Sequence, residues 1–98
     1  MYSFITTSNS IQIRGILKEQ GVSELAATIN ESFKLKGDLK IDLRILNELT
    51  LSTVMKLVKM QSNYKNCGKN ITFIGLENDS VRSSFGLAGK RQLLTAAA

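Results

Sequence analysis

Thr50, Ser52 and Thr53, with Leu51 among them, put three hydroxyls directly ahead of an amphipathic stretch, the densest chemistry in the chain. Short hydroxyl side chains there accept hydrogen bonds from the unpaired amides that begin a helix, which makes this turn the candidate functional spot. Other chemistry is sparse. There is no histidine, and Cys67 is the single cysteine. The usual general base and an internal disulfide are therefore missing. No glycine-rich phosphate loop, metal-ligand spacing or pair of carboxylates takes their place, so the expectation is no enzyme, no cofactor and no metal. Cys67, with no basic cluster tightly around it, reads as an ordinary thiol.

The elements that must hold these hydroxyls follow from a change of period. Leu39, Ile41, Leu43 and Ile45 alternate with Lys40, Asp42 and Arg44, the period of two that marks a strand. Val54, Leu57 and Val58 recur at three and four residues, with Lys56 and Lys59 on the opposite side, so a helix is expected over about Ser52 to Tyr64. Met55 and Met60 read as filler of its buried side. The segment Leu46 to Thr53 is then a loop leaving the carboxyl end of a strand, where partners of parallel sheets bind. Ser52 also has a plainer reading as an N-cap worth about 1 kcal/mol.

The remaining elements are simpler. Tyr2, Phe4 and Thr6, a turn at Ser8 to Ser10, then Ile11, Ile13 and Ile16 around Gly15 predict an N-terminal hairpin. Lys18 to Gly21 reads as a polar connection, and Val22, Leu25, Ala26, Ile29 and Phe33 mark a first helix over about Ser23 to Phe33. Lys34 to Asp38 should end it. Gly68 should stop the second helix before a strand at Asn70 to Gly75. Asn78, Asp79 and Ser80 offer caps for a third helix, and one more turn is expected within Lys90 to Thr95. Strands alternating with helices predict an α/β fold: about four mainly parallel strands, an N-terminal hairpin, and helices packed on the sheet.

With 98 residues, 43 % of them hydrophobic, the chain has enough for one compact domain, expected over 1–95. Ala96 to Ala98 reads as a cloning remnant. No run of apolar residues is long enough for a bilayer, and the start lacks a secretory signal, so the expected place is the cytoplasm. The net charge is +5; all of the excess lies from Thr50 onward, where seven basic residues face only Glu77 and Asp79. These cations are scattered and have no aromatic or arginine cluster beside them, which speaks against nucleic acid and for a solvated basic surface.

The strand Ile41-Asp42-Leu43, the hydroxyl-rich turn Thr50 to Thr53, its helix, Gly68 to Gly75, and Val81 followed by Phe85 to Gly89 and Leu93-Leu94 resemble the STAS domain. That domain is shared by anti-sigma-factor antagonists and sulfate transporters. The resemblance covers nearly the whole chain and implies a bacterial, non-enzymatic module of transcription regulation whose partner is a switch kinase that is also an anti-sigma factor. In that group the turn reads Asp-Ser-Ser-Gly or Asp-Thr-Ala-Gly, and in the first form the second serine is phosphorylated to release the partner. Here Thr50 falls at the acid, Ser52 at the acceptor and Thr53 at the glycine, so the serine alone matches. The partner-binding residues expected from this are Glu48, Thr50, Ser52, Thr53, Lys56 and Lys59, with Ser52 the phosphorylation candidate. The second reading is a constitutive accessory subunit, like the small STAS protein that binds the ATPase of lipid-transporting ABC systems. The oligomeric state stays open.

Overall fold

The computed structural model describes residues 2–32 and 37–97. Strand β1 (Tyr2–Thr6) and strand β2 (Ser10–Leu17) form the expected hairpin, closed by Thr7, whose amide donates to the Ser10 carbonyl at 2.8 Å. β2 continues through Gly15 with an irregularity there, as the interruption of its pattern suggested. The glycine takes φ 91°, open only to a residue without a Cβ, and the pairing shifts register between Gly15 and Ile16. Helix α1 (Glu19–Ser32) begins four residues earlier than expected, because Gly21 is helical. Its missing side chain lets the helix lie on Tyr2 and Leu17, whose nearest atoms are 3.1 and 2.6 Å from where a Cβ would stand. Phe33, expected on the buried side of this helix, and Lys34 to Lys36, expected to end it, lie outside the described residues.

The alternating stretch from Leu39 to Ile45 is two strands, not one. Strand β3 (Gly37–Asp42) ends in a turn at Leu43 to Ile45, and strand β4 (Leu46–Leu49) follows. Asp42 causes the break: its Oδ1 accepts from the amide of Arg44 at 3.0 Å, the local bond by which aspartate turns a chain two residues on. β3 pairs in parallel with Ser10–Gln12, and β4 with Gly15–Leu17 further along the same strand. Helix α2 (Leu51–Asn66), strand β5 (Lys69–Ile74), helix α3 (Asp79–Leu87), one 3₁₀ turn at Arg91–Leu93 and strand β6 (Leu94–Thr95) complete the chain.

The sheet runs β1-β2-β3-β5-β6, with β4 on β2; β1 is antiparallel and every other pair is parallel. The α/β class and the mainly parallel sheet are as expected, with two short strands, β4 and β6, beyond the four predicted. Pairing aligns Ile11, Ile41, Phe73 and Leu94 in one row across the sheet, all buried. The helices lay Leu25, Ile29, Val54, Leu57, Val81 and Phe85 against that face. Phe73 and Phe85 meet at 5.6 Å between ring centroids, tilted by 60°, a favourable aromatic geometry. Among the described residues no helix is long and apolar enough to cross a membrane.

Candidate functional site

Thr50 is the only residue between β4 and α2, so the expected loop from Leu46 to Thr53 is a strand, one cap and the first helical turn. The cap is Thr50 and not Ser52. Its backbone is extended (φ −85°, ψ 158°), its Oγ1 accepts from the Thr53 amide at 3.3 Å, and its carbonyl accepts from the Val54 amide at 3.1 Å. Thr50 Oγ1 also lies 2.7 Å from Thr53 Oγ1 and 3.3 Å from Ser52 Oγ, so the three hydroxyls form one hydrogen-bonded group.

Within that group the three side chains differ in access. Thr53 is fully buried, at 0 % exposure, so it fills space beneath the turn and presents nothing to a partner. Ser52 is exposed and keeps only the long contact with Thr50. Lys56 stands one helical turn on, at the spacing that puts two side chains on the same face, and Lys59 follows. Both lysines are exposed, as is Glu48 near the end of β4. The first turn of α2 contains no acidic residue, so nothing on the helix offsets the positive end of its dipole.

Leu51 and Met55 extend this surface with apolar area, 47 % and 49 % exposed. Met55 was expected inside; it faces solvent, whereas Met60, one and a half turns later, is buried. Leu49 and Leu51 hid this from the sequence, since both are apolar and only Leu49 is in the core.

Helix α3 holds the segment in place from behind, a function the sequence did not reveal. Asn78 caps α3 by accepting from the Val81 amide at 3.3 Å, and its Nδ2 lies 3.1, 3.0 and 2.9 Å from the carbonyls of Leu43, Arg44 and Leu46. Ser84 donates its hydroxyl to the carbonyl of Leu49, the residue before the cap. Both ends of the turn and strand leading to Thr50 are thus tied to one helix. At the head of the same segment Asp42 is buried and gripped by the Arg44 guanidinium at 2.8 and 3.0 Å, which holds its carboxyl below the usual 3.8 despite desolvation. Among the described residues no group of three histidine, cysteine, aspartate or glutamate side chains could hold a metal ion.

This arrangement of sheet, helices and turn is the STAS fold. Among solved structures it is similar to the anti-sigma factor antagonist SpoIIAA in its unphosphorylated form, at TM-score 0.72 and 16 % identity, covering 100 % of this chain and 89 % of that one. The phosphorylated form of SpoIIAA, a Bacillus cell fate determinant, superposes at TM-score 0.64 and 14 % identity, covering 100 % and 92 %. No family model matches the sequence, and no curated protein matches it. The likeness is therefore one of fold, carried by core pattern and topology.

Proposed function

We propose that this chain is a non-enzymatic regulatory module of the anti-sigma-factor antagonist type. It binds a partner kinase, itself an anti-sigma factor, through the start of α2, and phosphorylation of Ser52 releases it. The observation that carries this reading is an exposed serine on the first turn of a helix without acid there, one turn before Lys56. A phosphate on Ser52 adds roughly 1.5 to 2 negative charges where free amides, the dipole and a lysine all favour it, so the fold survives and the surface changes sign. Leu51 and Met55 supply the apolar contact such an interface needs, and Glu48, Thr50, Lys56 and Lys59 its polar surround. Thr53 supports the turn from within.

The test is a binding curve for Ser52→Asp against the captured partner. Affinity should fall several-fold while unfolding stays cooperative, and a curve identical to wild type would remove the gating. A second reading has its own observation. Thr50 and Thr53 occupy the places of the family's acid and glycine and bond each other, and Thr53 fills the room a glycine leaves open. That favours a constitutive subunit, binding the ATPase of a lipid-transporting ABC system through the same surface with Ser52 unmodified.

A further inference from the structure

Beyond Lys56 the outer side of α2 runs into a groove against α1, of about 410 Å³. Its floor is apolar: Val22 and Ala26 come from α1, Met60 and the ring of Tyr64 from α2. The floor is also fixed. Tyr64 Oη lies 2.7 Å from Asn30 Oδ1 and 3.1 Å from the Ala26 carbonyl, tying the two helices together, and Lys69 Nζ sits 5.3 Å from the ring centroid.

The rim is charged with one sign. Lys56 and Lys59 line the groove and, among the described residues, no carboxylate does. Helix α2 holds Lys56, Lys59 and Lys65 and no acidic residue at all. None of the acids on α1, Glu19, Glu24 and Glu31, lines the groove. An apolar floor under a rim whose charged residues are both lysines selects an occupant with an apolar stripe and carboxylates beside it. The two lysines are three residues apart on one face, the spacing at which carboxylates three or four residues apart on a facing helix meet them.

We infer that this groove seats an acidic amphipathic helix of the protein partner, anchored by an apolar side chain against Val22, Ala26, Met60 and Tyr64 and held by carboxylates on Lys56 and Lys59. This rests on α2 presenting the partner face and extends that face from Ser52 to the seam with α1. Modification of Ser52 draws on Lys56 but leaves Lys59 and the apolar floor in place, so gating acts chiefly at the helix start, one turn away.

The experiment titrates the whole chain into a fluorescein-labelled leucine-glutamate peptide of about four helical turns, read by anisotropy at low salt, with a leucine-lysine peptide as control. The acidic peptide should bind saturably and the basic one should not. Lys56→Glu with Lys59→Glu should weaken binding at least about fivefold, and so should Ala26→Leu, which fills the floor without touching charge. Ser23→Trp, at an exposed position on the same rim, plugs the groove independently if Ala26→Leu unfolds. Ser52→Asp, which pairs with Lys56 alone and leaves Lys59 and the floor free, should cost less peptide affinity than the double lysine reversal, so the groove and the gating fail separately. No saturation, equal binding of both peptides, or indifference to both plugs would overturn the groove. So would a loss in Ser52→Asp as large as that of the lysine reversal, which would move the peptide to the start of α2.

Discussion

Replacing Asn78 tests whether α3 positions the segment that carries Thr50 and Ser52. Its side chain makes one cap bond to Val81 and shares two N–H groups among the carbonyls of Leu43, Arg44 and Leu46. Asn78→Ala removes a cap worth about 1 kcal/mol and two hydrogen bonds of about 1 kcal/mol each, so unfolding should become about 3 kcal/mol easier. In a domain of this size that lowers the melting temperature by about 12–24 °C. Asn78→Ser separates the contributions: its hydroxyl can still cap α3 but cannot reach the carbonyls, and the loss should be about 2 kcal/mol. Urea unfolding followed by circular dichroism measures both, with an unchanged m-value as the sign that the denatured state is the same. An alanine variant less than about 1 kcal/mol below wild type, or a serine variant equal to it, would refute the staple.

Two further substitutions probe the frame around the site. Gly21→Ala gains about 1 kcal/mol in helix propensity but sets a Cβ 2.6 Å from Leu17 Cδ1, and the strain of about 1–3 kcal/mol should win. A higher urea midpoint would show that α1 does not rest on Tyr2 and Leu17 as described. Asp42→Asn should cost about 1–3 kcal/mol at neutral pH by removing the charged partner of Arg44. Because the folded carboxyl is held below 3.8, the unfolded chain takes up its proton first as pH falls. The stabilisation from Asp42 is therefore complete above the unfolded value and is lost on the way down through the folded one. Urea titrations from about pH 3 to pH 7 should show wild type and Asp42→Asn converging in acid, and parallel curves would contradict the ion pair.

The parts of the fold that were legible share a local cause. The hairpin, β5, and α3 with its cap at Asn78 each pair a clear period with a turn or cap residue next to it. The break after Asp42 was hidden because Leu43, Ile45 and Leu46 continue an apolar pattern; the readable sign was an aspartate two residues before an amide it could hold. The start of α1 was missed because Gly21 reads as a turn, and its reason for being glycine, the ring of Tyr2, lies on another strand. β6, two residues long, is too short to show any period. At the site, helical spacing alone placed Lys56 and Lys59 on the outer side of α2, whereas Ser52 was singled out by the hydroxyl-rich turn and the family resemblance. The cap at Thr50 could not be told from one at Ser52, since either hydroxyl suits a helix start. The exposure of Met55, the burial of Thr53, the staple from Asn78 and the groove beside α1 depend on neighbours distant in sequence.

The most direct measurement is affinity capture from lysate of the source cells, with the wild-type chain and Ser52→Asp as parallel baits and bound proteins identified by mass spectrometry. A switch module that begins its contacts at α2 should enrich an ATP-binding protein kinase on wild type and lose it on Ser52→Asp. A transporter ATPase retained equally by both baits would contradict the switch and leave Ser52 an unmodified residue of a constitutive interface.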